Sequence, residues 1–184
     1  MRQVLTRHPD SRCFAAKYVE VGFVQPRTNS LVLSYIVTGT MSEIRIPTLM
    51  ETARSDELWL HTCFEAFVGS SSGEAYYEFN FAPSTQWAAY RFDGYRSGMC
   101  AANEISAPII EVRSSSDSYT LQASLELDRL SGLSRKASWR LGLSALIEDR
   151  SGRKSYWALA HPPGKPDFHH MDCFAHEFFP IEQP

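Results

Sequence analysis

The chain has 184 residues, 43% of them hydrophobic and 21% charged, with a formal net charge of −3. That length buries a substantial core within one domain, residues 1–184, without metal or disulfide staples. The basic groups are mostly scattered Arg, with Lys at 17, 136, 154 and 165, which excludes a general electrostatic pull toward nucleic acid or an anionic membrane surface.

Cys13, Cys63, Cys100 and Cys173 form no CxxC pair, which argues against a structural zinc site. The N-terminus, MRQVLTRHPDSRCF, is charged and lacks the apolar centre of a secretory signal. No apolar run approaches the roughly 18 residues that span a bilayer. The expectation is a cytoplasmic protein with reduced thiols and no membrane insertion; the sequence leaves the oligomeric state open.

In chain order, Phe14 to Val24 is rich in β-formers and is broken by Pro26 to Asn29. Ser30 to Thr38 (SLVLSYIVT) is nearly continuous in apolar and β-branched residues, the pattern of a strand covered on both faces. Leu58 to Val68 and Glu74 to Phe81 flank GSSSG and predict an antiparallel hairpin with a five-residue connection. Gln86 to Phe92 is a further strand, and Glu104 to Val112 is weakened by Pro108 to an edge or a bulge.

Tyr119, Leu121, Ala123, Leu125 and Leu127 alternate with polar residues, and Trp139, Leu141, Leu143, Ala145 and Ile147 recur at the same period. Both read as half-buried strands. One helical turn is expected over Asp128 to Leu133, and a short strand over Lys154 to Leu159 before a proline-rich loop. Some nine or more strands with no long helical period predict an all-β domain, an antiparallel β-sandwich with few short helical turns.

The segment Leu58 to Arg96 holds the densest aromatic run, set among Glu65, Glu78, Asn80, Arg91 and Arg96. Alternation in EAYYEFNFAP puts Tyr77, Phe79 and Phe81 on a core face, and Tyr76, Glu78 and Asn80 on the other. Glu65 lies in a strand too apolar for simple exposure, so it requires a partner, for which Arg91 or Arg96 is expected. Trp87 and Tyr90, with Tyr76, could stack a sugar ring while Glu78, Asn80, Arg91 and Arg96 hydrogen-bond its edge. The same rings could instead fill a core.

A second constellation, HPPGKPDFHHMDCFAHE, offers His161, Asp167 and His169 as candidate metal or haem residues. Its spacing matches no HExxH, facial-triad or calcium-loop pattern. There is no GxSxG elbow, phosphate-cradling glycine loop or dinucleotide fingerprint, so a non-catalytic role is favoured over an enzyme. Glu65 and Glu78 could form a glycosidase pair only at a suitable separation.

Trp59, CFEAF (63–67), YEFNFAP (77–83), WAAY (87–90), Phe92, Tyr95 and Arg96 together resemble the bacterial DOMON-like group related to family 9 carbohydrate-binding modules. Tyr156–Trp157–Ala158–Leu159, His161, Pro166–Asp167–Phe168–His169 and Phe174 extend the likeness, which runs from about Leu58 onward. The resemblance implies a jelly-roll-like antiparallel sandwich that holds a sugar between aromatic side chains, sometimes with structural calcium. The wider DOMON group also contains haem-binding redox domains with Met and His ligands. Met99, Met171, His61, His161 and His169 are the conceivable ones here. The expected function is therefore binding of a carbohydrate or similar polyhydroxylated molecule, the alternative a haem- or metal-binding redox domain using the His-rich loop.

Overall fold

A computed structural model describes residues 2–27 and 29–178. Thirteen strands among them build two antiparallel sheets packed face to face. The first sheet runs β1 (Arg2–Val4), β3 (Ala16–Val24), β4 (Ser30–Gly39), β10 (Ser118–Glu126) and β9 (Ile109–Ser114). The second runs β2 (Thr6–Arg7), β12 (Lys154–Ala158), β11 (Trp139–Glu148), β5 (Cys63–Ser70), β6 (Tyr76–Phe81), β7 (Trp87–Phe92) and β8 (Cys100–Ala101). A short β13 (His176–Phe178) pairs with the start of β11, on the edge whose far half carries β12. Helical structure among the described residues is limited to single 3-10 turns at Met41–Glu43, Leu58–Leu60 and Met171–Cys173. No helix among them is long and apolar enough to cross a membrane.

The expected sandwich is present, and period-two alternation explains it. Leu31, Leu33, Tyr35 and Val37 of β4 point inward against Phe64, Phe79 and Leu143 of the second sheet. Tyr35 also crosses the interior to donate its hydroxyl to the Glu65 carbonyl oxygen at 2.6 Å. Gly39 marks where the first sheet closes around a bulge at Ala16 to Tyr18, because a Cβ there would meet the Ala15 carbonyl oxygen at 2.1 Å. Any side chain at that position would have to displace backbone.

Three expectations are corrected. β4 is not covered on both faces: Val32, Ser34, Ile36 and Thr38 are only partly buried, so its apolar run was a half-buried strand with a hydrophobic outer row. The doubly covered strands are β5, β6 and nearly all of β11, which read as buried end to end. Leu58–Leu60 forms a 3-10 turn instead of the start of a strand, which shifts the hairpin connection to residues 71–75. Residues 128–133 form hydrogen-bonded turns, not a helix.

The second layer of burial explains the doubly covered strands. On the outer face of the second sheet, Phe67, Tyr76, Ala88, Tyr90 and Phe92 pack with Phe168, Cys173 and Phe174 from the segment after β12. Gly142 of β11 makes room for this cover, since a Cβ there would come within 2.9 Å of the Phe174 ring. Phe174 then reaches Phe67 and Tyr76, each at 5.6 Å between ring centroids.

Candidate functional site

The floor of the site follows from strand register. Glu65 on β5 pairs with Asn80 on β6 and with Ser144 on β11, while Glu78 pairs with Phe67 and Tyr90. Glu65 and Glu78 are therefore diagonal neighbours on one face, a spacing of roughly 7–8 Å between backbones. Both carboxylate residues are only 4% exposed.

Around them the cover leaves a cleft of about 360 Å³. Phe92, Leu146 and Tyr156 line it from the sheet, and Trp59 enters from its 3-10 turn. Arg96 and Met99 come from the loop after β7, and Pro166, Phe168 and His169 from the segment after β12. Trp59 is held edge-on against Tyr90 at 5.5 Å, and the Tyr90 hydroxyl donates to Asp56 Oδ1 at 2.6 Å.

Asp167 ties two of these walls together. It accepts from Arg96 Nη2 at 2.8 Å, from Arg96 Nε at 3.2 Å, from the His169 backbone N–H at 3.1 Å and from the Tyr95 hydroxyl. Partial burial works against its ionisation, but the hydrogen bonds from Tyr95 and Arg96 and the guanidinium charge hold it below the usual carboxylate range. Arg96 adopts φ of 51°, in the left-handed region that costs a non-glycine residue about 1 kcal/mol. Its N–H donates to the Tyr76 hydroxyl at 3.2 Å, which helps to hold that conformation.

The Tyr76 hydroxyl also shares a hydrogen bond with His169 Nδ1 at 2.8 Å, its direction set by the His169 tautomer. The other ring nitrogen, Nε2, lies 3.8 Å from Glu78 Oε2. Burial, reinforced by the Arg96 charge, lowers the His169 pKa to about 4. Glu78 Oε1 accepts from Asn80 Nδ2 at 2.8 Å, and Glu65 Oε2 accepts from Ser144 Oγ at 3.1 Å.

Burial pushes both floor carboxyls upward, Glu65 to about 8 with added repulsion from Glu78, and Glu78 to about 7 despite Asn80 and Arg96. The two lose their protons as a unit. Near neutral pH the floor therefore both donates and accepts.

Of the residues expected at a ligand site, Tyr76, Glu78, Asn80, Tyr90 and Arg96 share this region. Glu78 and Arg96 line the cleft, whereas Asn80 is fully buried and orients Glu78. Tyr76 lies beneath, stacked on Phe92 at 4.7 Å, and Tyr90 supports Trp59.

Trp87 and Arg91 are not with them. Both project from β7 to the opposite face, where Trp87 joins the sandwich core under the Arg54 guanidinium at 4.3 Å. Arg91 runs beside Tyr77 and Gly132, so it cannot partner Glu65 as expected. Arg96 does not do so by contact either, because its guanidinium forks onto Asp167. Trp59, Glu65, Tyr156 and Phe168 also line the cleft, drawn from two stretches about ninety residues apart in sequence.

Of the candidate metal and haem residues, Asp167 and His169 lie together while His161 stands apart. His161 gives its Nε2 proton to the Thr6 carbonyl at 2.8 Å and packs between His8 and Phe168, behind the cleft wall. Asp167 and His169 are engaged as above, and among the described residues no group of three or more His, Cys, Asp or Glu is arranged to hold a metal ion. His61 is occupied with Glu148 at 2.7 Å. The donors present therefore do not fit calcium, and His169, the imidazole lining the cleft, has both nitrogens facing protein partners rather than an axial haem position.

No protein-family profile matches the chain, and no curated protein matches it. Solved structures do align. A candidate carbohydrate-binding protein from Bacteroides uniformis is 12% identical at a TM-score of 0.63, over 92% of this chain and 82% of that one. A family 9 carbohydrate-binding module from Caldicellulosiruptor kristjanssonii, solved with glucose and with cellotriose, aligns at TM-scores of 0.44 and 0.45. Both alignments are 12% identical and cover 80% of this chain, with 69% and 67% of the module. The similarity to the Bacteroides protein extends to the fold alone, and those to the module add nothing to it.

Proposed function

We propose that the chain is a non-catalytic ligand-binding domain, a single unit over residues 1–184, related to the DOMON-like group. It takes a carbohydrate or similar polyhydroxylated small molecule in the cleft above Glu65 and Glu78. The observation that carries this reading is the lining itself: Trp59, Phe92 and Tyr156 stand over two carboxyls and a guanidinium within about 360 Å³. A sugar ring has apolar C–H faces that stack on aromatic side chains and hydroxyls that need both donors and acceptors. The cleft offers both, and its volume suits a molecule of one or two rings. Asn80 and Tyr76, buried beneath, hold the polar groups in place before a guest arrives, which lowers the entropic cost of binding.

Isothermal titration with a panel of mono- and oligosaccharides tests the reading. Binding heat is expected with the wild type, and affinity at least roughly ten-fold weaker in Trp59→Ala and Tyr156→Ala, as one stacking ring is lost from each. Silence with every sugar, or affinities unmoved by both substitutions, would remove the cleft from consideration.

A further inference from the structure

We propose that the cleft selects a sugar carrying a protonated amine, an amino sugar in its ammonium form, through the carboxylates of Glu65 and Glu78. This deepens the carbohydrate reading of the same cleft and rests on it.

The two carboxyls are incompletely partnered. Among the described residues, neither forms a salt bridge with Lys or Arg. Oε2 of Glu65 has Ser144, but its Oε1 accepts no hydrogen bond from a described group. Oε1 of Glu78 has Asn80, but its Oε2 is 3.8 Å from the neutral His169. The buried polar atoms sealed without partners are Gln25 Nε2, Arg91 Nε and His161 Nδ1, so neither free carboxyl oxygen is closed off from the cleft.

Charge balance points the same way. The groups facing the pair are Cys63 and Tyr76 from the same two strands, Tyr90 from β7, Ser144 from β11, Arg96 from the loop after β7, and Asp167 and His169 from the cover. Arg96 is the cation of this group, and it is already engaged by Asp167 at 2.8 Å. Ionising both floor carboxyls therefore leaves an excess of negative charge in a desolvated site, which is why burial holds their protons on near neutrality.

An ammonium supplies what the floor needs: three donors and a compensating charge in one compact group. A hydroxyl supplies one donor and no charge, and an acetamido group supplies no charge. Trp59, Phe92 and Tyr156 line the same space, so the rest of the ring stacks while the cation meets aromatic faces as well as carboxylates. The proton balance is explicit. A carboxylic acid of the floor loses its proton to solvent as the ammonium takes its place, forming a carboxylate–ammonium pair.

The test is calorimetry at slightly acidic pH with glucosamine, glucose, N-acetylglucosamine and tetramethylammonium, repeated in two buffers of different ionisation heat. Glucosamine is expected to bind at least roughly ten-fold more tightly than glucose or N-acetylglucosamine, with proton release to the buffer. Glu65→Gln and Glu78→Gln should each erase that preference while melting no lower than the wild type, which shows that the fold survives.

Equal affinity for glucosamine and glucose, or binding of glucosamine without proton release, would overturn amine selection and leave the sugar reading standing. Absence of heat with all three sugars would overturn both. Tetramethylammonium binding in that case would mark the cleft as a site for amines that are not sugars.

Discussion

Replacing Glu78 by Gln keeps the side chain's shape and removes a charge that the folded protein holds at a cost. Its carboxyl moves from 4.5 to about 7 on folding, chiefly through burial. At about 1.4 kcal/mol for each ten-fold change in proton affinity, ionising it costs the native state on the order of 3 kcal/mol. The sign is set by proton counts. Between pH 4.5 and about 7 the native state binds more protons than the unfolded chain, so this contribution to stability falls as pH rises and levels off above the folded value.

Glu65, raised further to about 8, extends the loss upward in pH, and relief of its repulsion adds to the gain from the substitution. His169 acts in the opposite sense below 6.5, since its value of about 4 makes folding more favourable as pH rises toward neutrality. That term is shared by both proteins and drops out of their difference. Urea unfolding should therefore show Glu78→Gln near wild-type stability at about pH 5 and more stable by on the order of 3 kcal/mol at about pH 9. For a chain of this size the melting temperature should rise by roughly 6–12 °C at the higher pH. Parallel pH profiles for the two proteins would refute the reasoning.

Trp87→Ala should cost about 3–5 kcal/mol in urea unfolding, because its ring fills the sandwich core, yet leave sugar affinity unchanged in the folded fraction. Gly142→Ala drives a methyl to within 2.9 Å of Phe174, and a loss of about 1–3 kcal/mol is expected in the same assay. Asp167→Asn removes the charge that holds Arg96; amide hydrogen exchange over residues 94–98 should accelerate, with global stability lowered by about 1–2 kcal/mol. Alkylation followed by mass spectrometry should label Cys100 alone in the native protein, with Cys13, Cys63 and Cys173 reacting only in denaturant.

Alternation within single strands was readable and sorted β6 correctly into an inner row of Tyr77, Phe79 and Phe81 and an outer row of Tyr76, Glu78 and Asn80. The same parity separates Trp87 from Tyr90, three residues apart on β7, and Tyr90 from Arg91 beside it. Grouping those side chains by nearness in sequence overlooked that a strand turns successive residues to opposite faces. What periodicity could not supply is pairing between strands.

Glu65 stands beside Ser144 because β5 neighbours β11, and Tyr156 reaches the cleft because β12 lies beyond it. Strand order of that kind depends on long-range contacts that leave no local signature. The run of apolar residues on both faces of β5 is the sequence signal that something covers the sheet; β4 carries a similar run with more β-branched residues, but its outer row stays only partly buried.

The cover over the second sheet also sets when the protein becomes presentable during synthesis. β5, β6 and β7 are made well before Phe168, Cys173 and Phe174, yet those late residues shield Phe67, Tyr76 and Phe92. Until they dock, a growing chain carries an aromatic surface open to neighbours, a known route to association. The docking that hides this surface also raises one wall of the cleft, so protection against aggregation and the ability to hold a guest arrive in a single late event.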